Sequence, residues 1–223
     1  EEFNFTNPID FYATAYVPNQ RYHDLLRRHP GQSARIARHS IPAGEAVLVR
    51  YRDQNAPLFA EPLLRELAEM EFCYKPAQPV PLRKYTDAYQ AVWRRFDAGI
   101  DGSTEYYLFD GALLHHPIND MMRNNHASPE QAAHHVQNLL QCLTRGSWQV
   151  FYLVSDDLES QLSRARQDRR QAPPDQSQIA FWKLRGEYDA YALKHAVLKH
   201  QMLNISQLGY DGAFQQIWNA ARG

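Results

Sequence analysis

The chain has 223 residues, enough to bury a sizeable core, and its 24 Lys and Arg residues nearly balance its 25 Asp and Glu residues. This balance excludes a strong overall field that would attract nucleic acid or an anionic membrane surface. No stretch approaches the roughly 20 consecutive apolar residues that span a bilayer. We therefore expect a cytoplasmic protein with no nucleic-acid partner and no membrane partner. The two cysteines, Cys73 and Cys142, show no metal-binding spacing and are expected to be reduced, buried thiols.

The N-terminal half predicts helices separated by loops and one apolar strand. A short helix is expected after the turn at Asn7-Pro8, and a second helix from Asn19, whose side chain would cap it. The run AVLVRYRD indicates a strand or the edge of a buried helix, and leucines recurring at three and four predict a helix over 57–74.

An aromatic helix is expected next, from the stretch LRKYTDAYQAVWRRFDAGI. Tyr85, Tyr89, Val92, Trp93 and Phe96 fall on one face of it. This face offers a surface on which a homodimer could form.

The C-terminal half predicts strands that alternate with helices. TEYYLFDG is a short apolar strand, and Ser128 followed by Pro129 is typical of a helix N-terminus. WQVFYLVSDD is a continuous apolar run of the kind buried on both faces of a parallel sheet. Helices over 158–170 and 179–200, a short strand and an amphipathic helix complete the chain.

This alternation favours a single α/β domain over residues 1–223, in which a mostly parallel central sheet is flanked by helices. The sequence shows no repeats and no linker long enough to separate domains.

Three stretches carry most of the functional information, in the order YYLFDGALLHHPINDMMRNN, VFYLVSDDLESQLSRARQDRR and LGYDGAFQQIWNAA. The first predicts a strand ending in a carboxylate-glycine pair, the second a strand, a polar loop and an arginine-bearing helix, and the third a closing strand and helix. Together with Asn7-Pro8-Ile9-Asp10, this order resembles the P-loop nucleotide-kinase superfamily, close to its thymidylate-kinase-like branch. The resemblance implies a three-layer sandwich and ATP-dependent phosphoryl transfer to a small acceptor such as a nucleotide or nucleoside. ATP and Mg²⁺ would be the cofactors.

Several residues acquire candidate roles through this resemblance. Asp110, at the end of a predicted strand, would be a general base or orient Mg²⁺, and Gly111 would let the backbone approach the ligand. Asp10, Arg95 and His115 would contact the acceptor. From the residues alone, Asp110 is explained equally well as a turn residue, and Asp10 is better explained as one.

The second set of candidates lies in a lid-like segment over about 156–178. Arginine contacts phosphate with two parallel hydrogen bonds, and the resemblance assigns that role to Arg166, Arg169 and Arg170, near Arg164. The alternative is a solvated basic helix face balanced by neighbouring acidic residues.

The phosphate-gripping sequence GxxxxGK[ST] of this superfamily does not occur in the 223 residues. We expect either that the first strand-loop-helix lies upstream of Glu1 or that the protein has lost it. In the second case the protein would be a non-catalytic nucleotide-kinase fold that recognises a ligand or a partner. An α/β hydrolase is less favoured because GxSxG is absent, and a zinc centre at His115 and His116 is less favoured because HExxH-type spacing is absent. No metal ligand is assigned.

Overall fold

The computed structural model describes residues 11–53, 56–103 and 106–222. Its internal contacts divide the chain into two compact units, Glu1–Gly146 and Ser147–Gly223. Both combine helices with small sheets, so the α/β class is confirmed. Asp10 lies outside the described residues, and its predicted role stays a prediction, as does the single domain over 1–223.

The first unit is built on a three-stranded antiparallel sheet of order β1-β3-β2. Its strands are β1 (Thr14–Pro18), β2 (Ser40–Ala43) and β3 (Ala46–Arg50). A small antiparallel pair, β4 (Arg52–Asp53) and β5 (Ala56–Pro57), follows. The helices of this unit are α1 (Asn19–Arg28), α2 (Ser33–Arg38), α3 (Leu63–Ala68), α4 (Leu82–Ala98), α5 (His115–Asn124) and α6 (Pro129–Leu140).

Helices cover both faces of the three-stranded sheet. On one face, Ala15 and Val17 of β1 join Val47 and Val49 of β3 in a cluster completed by leucines and isoleucine of α1, α2 and α3. On the other face, Tyr16 stacks on Phe72, and the α4 aromatic residues pack beyond it. Every residue of β3 is buried as a result.

The second unit contains a parallel pair of strands, β6 (Gln149–Val154) and β7 (Lys199–Asn204). The helices α7 (Leu158–Asp168) and α8 (Gln176–His195) connect them, and α9 (Ile205–Arg222) follows β7. A backbone kink at Gly209 divides α9. Parallel strands need such a helical crossover, so the predicted strand-helix-strand order is confirmed in this unit.

A buried ion pair within α8 is hydrogen-bonded to β6. Arg185 and Asp189 are 4% and 1% exposed, and the Arg185 Nη2 atom lies 2.5 Å from Asp189 Oδ2. The Tyr152 hydroxyl of β6 donates to the same carboxylate at 2.8 Å. The charged pair therefore takes a place that apolar side chains usually fill in such a layer.

The sheet prediction needs correction. The described residues form two antiparallel sheets and one parallel pair, not one mostly parallel central sheet. Residues 106–109, predicted as a strand, have no regular structure, and residues 104 and 105 lie outside the described part. Tyr107 and Phe109 instead pack on Phe96 at ring distances of 5.2 and 5.1 Å. Contact with α4 thus replaces sheet pairing here.

Three local predictions also differ. The short helix expected before Asn19 is instead strand β1, because its backbone pairs with β3. Asn19 does not cap α1, since its side-chain Nδ2 donates to the Gly44 carbonyl at 3.1 Å. The helix over 57–74 is limited to α3, and the Phe72 N–H donates to Thr14 O at 2.8 Å instead of continuing it.

Other local predictions are confirmed. The Ser128 side chain accepts from Gln131 N, the Gln131 side chain accepts from Ser128 N, and Pro129 begins α6. Cys73 and Cys142 are buried free thiols. The aromatic face of α4 is buried inside the first unit. The homodimer stays a prediction, but it cannot use that face while the unit is folded.

Candidate functional site

The Asp110 region forms a turn that starts α5. Asp110 is exposed and follows the irregular residues 106–109, so it does not lie at the end of a strand. Gly111 has φ +69°, and its carbonyl accepts a hydrogen bond from His116 N at 3.0 Å. A Cβ at Gly111 would meet the His115 Cβ at 3.0 Å and the His116 Nε2 at 3.1 Å. The glycine is therefore required by the turn itself, and His115 lies directly beside it.

Arg95, the other acceptor-site candidate in the first unit, is exposed in the last turn of α4. Its neighbours Trp93 and Phe96 are buried at 2% and 5% exposure. Arg95 therefore points away from the face that the aromatic residues bury.

The lid arginines have different positions on and after α7. Arg164 lines an open depression of about 490 Å³ together with two carboxylates and three neutral polar residues: Asp157, Glu159, Ser160, Ser163 and Gln167. Arg166 Nε donates to the Ala172 carbonyl and so holds the turn that ends the helix. Arg169 is the C-cap, and Arg170 has φ +56°. Of the four, Arg164 is the one placed in the depression.

The carboxyl ends of β6 and β7 carry a compact polar cluster. The hydroxyls of Ser155 and Ser206 lie 3.0 Å apart, and Ser206 Oγ also accepts from Asp156 N at 3.0 Å. Asn204 Nδ2 donates to Asp156 Oδ1 at 2.6 Å. These side chains are exposed or partly buried. Hydroxyl, amide and carboxylate groups thus converge at one edge of the parallel pair. We call these four residues the β6–β7 edge cluster.

A second polar cluster lies inside the first unit and was not predicted. Glu71 follows α3, and Asp120 is a 7% exposed residue of α5. The Glu71 carboxylate accepts hydrogen bonds from the Tyr51 hydroxyl and, at 3.4 Å, from Cys73 N. Asp120 accepts from Tyr74 N at 3.3 Å and from the Tyr85 hydroxyl at 3.4 Å. Two carboxylates therefore bind consecutive backbone amides.

Burial is the main cause of the raised pKa of both carboxyl groups. It raises the pKa of Glu71 to about 7, and the nearby Asp120 charge raises it further against the hydrogen bonds from Tyr51 and Cys73. Burial likewise raises the pKa of Asp120, opposed by hydrogen bonds from Cys73, Tyr74 and Tyr85 and by the nearby His116. Burial also raises the pKa of the Cys73 thiol, so it is not a reactive thiolate.

The predicted residues fall into separate groups. The structure brings Gly111 and His115 together in the first unit, whereas Arg164, Arg166, Arg169 and Arg170 belong to the second. The β6–β7 edge cluster was missed although its strands were predicted. Its indication in the sequence was the polar run SDD directly after β6, and Asn204 and Ser206 at and just after the end of β7. Asp120 was also detectable, as a charged residue on the apolar stripe of α5.

No protein-family model, curated protein or solved structure matches the chain. In residues 11–53, 56–103 and 106–222, no helix is long and apolar enough to cross a membrane. The same residues contain no group of three or more His, Cys, Asp and Glu side chains arranged to hold a metal ion.

Proposed function

We propose that the protein functions in ATP-dependent phosphoryl transfer to a small acceptor, such as a nucleotide or nucleoside. The supporting observation is the β6–β7 edge cluster. Ligands of open α/β sheets bind outside the carboxyl ends of the parallel strands, where this cluster lies. The order of strand, polar loop and arginine-bearing helix at β6 and α7 agrees with the nucleotide-kinase resemblance of the sequence.

The edge cluster and the α7 arginines offer groups that suit different parts of a nucleotide. Ser155, Ser206 and Asn204 offer the hydroxyl and amide groups that hydrogen-bond a base or a ribose. Arg164, on the exposed depression of α7, offers a guanidinium for phosphate oxygens. Arg169 and Arg170 lie in the turn that follows and carry charge of the same sign. In contrast, Arg166 already donates to Ala172 O and would mainly hold that turn.

The fit to ATP with Mg²⁺ is partial. The edge cluster and the arginines account for binding a nucleoside and phosphate charge. The cradle of backbone N–H groups and lysine that grips the β- and γ-phosphates in P-loop proteins has no counterpart, because GxxxxGK[ST] does not occur in the 223 residues. ATP, when bound, would supply the phosphoryl group, and these residues would bind and neutralise it without accounting for the transfer.

The second candidate is a non-catalytic protein that binds a nucleotide-like ligand. The missing phosphate-gripping sequence favours it, as does Asp110, which lies in the turn before α5 and not at a strand end. Both candidates use the same edge cluster, so they differ in turnover and not in binding.

The test is a calorimetric titration of the natural protein with ATP and Mg²⁺, repeated for two site variants. Arg164→Ala removes a charged phosphate contact and is expected to weaken binding about tenfold. Asn204→Ala removes one neutral donor and is expected to weaken it roughly fivefold. Arg83→Ala in α4 and Asn219→Ala in α9 are matched controls, since both residues are exposed.

Binding that is weakened in Arg164→Ala and Asn204→Ala but unchanged in both controls would support a nucleotide site at the β6–β7 edge. Equal affinity in all five proteins would contradict that location. Absence of ATP binding in the natural protein would contradict the phosphotransferase proposal.

A further inference from the structure

The segment Glu71–Tyr74 is attached to β1 on one side and to α5 on the other. Tyr16 N donates to Met70 O and Phe72 N donates to Thr14 O, both at 2.8 Å, so the start of the segment extends the edge of the sheet. Beyond Phe72, the chain leaves the sheet, and Tyr74 adopts φ +60°. From there on, the described hydrogen bonds hold the segment through two carboxylates.

These carboxylates come from different elements and meet at neighbouring peptide groups. Glu71 belongs to the segment itself and accepts from Cys73 N, whereas Asp120 belongs to α5 and accepts from Tyr74 N. The amides of Cys73 and Tyr74 are consecutive, and the Asp120 charge acts on the Glu71 carboxyl group. Each ionised acid raises the other's cost of losing a proton.

The groups around the pair provide little positive charge. Tyr51 faces Glu71 from the end of β3, and Tyr85 and Tyr89 of α4 face the Asp120 side. Cys73 contributes a neutral thiol between them. His116, one turn before Asp120 on α5, is the group among these that can carry positive charge. Arg52 acts electrostatically on Tyr51, and His116 acts on Asp120. Ionising both acids places two negative charges in partly buried positions.

We propose that Glu71 and Asp120 form a proton-operated switch that fastens the segment Glu71–Tyr74 to α5 when the pair holds a proton and loosens that contact when both acids are ionised. The inference does not depend on the phosphotransferase proposal. It concerns only the first unit and would hold for a non-catalytic protein as well.

The sign of the pH effect follows from the raised pKa of Glu71. The pKa of Glu71 is about 7 when the segment is fastened to α5, and its ordinary value is 4.5. The fastened state therefore binds more protons than the loosened state between about pH 4.5 and pH 7. The stabilisation is therefore complete below about pH 4.5, decreases as pH rises, and is lost above about pH 7. The raised pKa of Asp120 acts in the same direction.

The switch would act on the turn that starts α5. Asp120 lies little more than one turn after His115, which packs against Gly111. Loosening of α5 therefore changes the position of His115 and the adjacent Asp110. A site that used these residues would respond to pH through the acid pair as well as through its own titration.

The test is hydrogen exchange of the α5 backbone between pH 5 and pH 7, corrected for intrinsic exchange rates. In the natural protein, protection of α5 is expected to fall on the order of tenfold over this interval. In Glu71→Gln, which cannot ionise, protection of α5 is expected to stay nearly constant. Glu69→Gln, an exposed residue two positions earlier, is the matched control and is expected to behave like the natural protein.

Two further measurements keep the inference testable if Glu71→Gln does not fold. Asp120→Asn removes the neighbouring charge and is expected to shift the Glu71 titration, followed by carboxyl ¹³C chemical shift, to lower pH. A Glu71 midpoint near its ordinary value in the natural protein would overturn the switch. The same pH profile of α5 in the natural protein and in Glu71→Gln would overturn it as well.

Discussion

Strands β3 and β6 are both apolar runs, yet the molecule uses them differently. The sequence AVLVR of β3 is buried along its whole length in the middle of an antiparallel sheet. The sequence QVFYLV of β6 is only partly buried, with Leu153 45% exposed, in a parallel pair. The sequence pattern alone would favour the opposite assignment, because continuous apolar runs are typical of parallel strands covered on both faces.

The difference lies in what covers each strand. Helices α1, α2 and α3 cover one face of β3, and Phe72 and α4 lie on the other. The Tyr152 hydroxyl of β6 joins the parallel pair to α8 by donating to Asp189 of the charged Arg185–Asp189 pair. Large apolar side chains such as Met202 and Phe214 stay exposed. The first unit is therefore stabilised mainly by apolar packing, and the second depends more on a buried polar contact.

The largest expected effect comes from breaking that polar contact. Asp189→Ala removes the buried carboxylate that the Arg185 guanidinium and the Tyr152 hydroxyl share, and it is expected to destabilise the second unit by about 3–5 kcal/mol. Urea denaturation measures the loss, and hydrogen exchange locates it in residues 147–222. Glu187→Ala, an exposed acid on the same helix, is expected to change stability by less than about 0.5 kcal/mol. A cost below about 1 kcal/mol for Asp189→Ala would remove the contrast between the units.

The next prediction compares the two strands by making the same Leu→Ala change in each. Leu48→Ala removes a fully buried side chain of β3 and is expected to cost about 2–5 kcal/mol through lost packing and a cavity. Leu153→Ala removes a half-exposed side chain of β6 and is expected to cost less than about 1 kcal/mol. Thermal and urea denaturation of the two variants give the comparison. Similar costs at both positions would mean that β6 is covered as well as β3.

The smallest expected changes in stability come from removing two helix caps. Ser128→Ala is expected to lower the free energy of unfolding by about 1 kcal/mol, because α6 contributes five buried residues to the first unit. Asp157→Ala removes the cap of α7, which buries none, so global stability should change by less than about 0.5 kcal/mol while exchange of the first α7 amides increases. Ser128→Asp and Asp157→Ser keep a capping oxygen and serve as controls. A loss of global stability in Asp157→Ala would show that α7 helps to stabilise the second unit.

Local chemistry was the part of the fold that could be predicted. The capping residues Ser128 and Gln131 act on neighbours in sequence, so α6 followed directly from its pattern. The strand β1 was not predicted although Thr14, Tyr16 and Val17 are strand-favouring residues. The stretch is short, and its place in the sheet is set by pairing with β3, which is distant in sequence. Residues 106–109 show the opposite error. Their sequence predicted a strand, but Tyr107 and Phe109 pack on Phe96 of α4 and no strand forms.

The candidate sites likewise depend partly on local sequence and partly on contacts between distant elements. The arginines of α7 were predicted as a group, but the local turn decides that Arg166 binds the Ala172 carbonyl whereas Arg164 faces the depression. The β6–β7 edge cluster needs residues about 50 positions apart. The hydrogen bonds of Glu71 and Asp120 to neighbouring amides likewise involve distant elements. Such pairs depend on tertiary contacts that sequence spacing does not reveal.

The most direct test of the proposed function is a transfer assay on the natural protein. The natural protein would be incubated with Mg²⁺, ATP labelled at the γ-phosphate, and a panel of nucleosides and nucleoside monophosphates. The intact mass of the protein would be measured on the same sample. Labelled product from at least one acceptor, reduced about tenfold or more in Arg164→Ala, is the predicted result. ATP binding without labelled product would instead identify the non-catalytic binding protein. Neither binding nor transfer by the natural protein would contradict the nucleotide site on which the account rests.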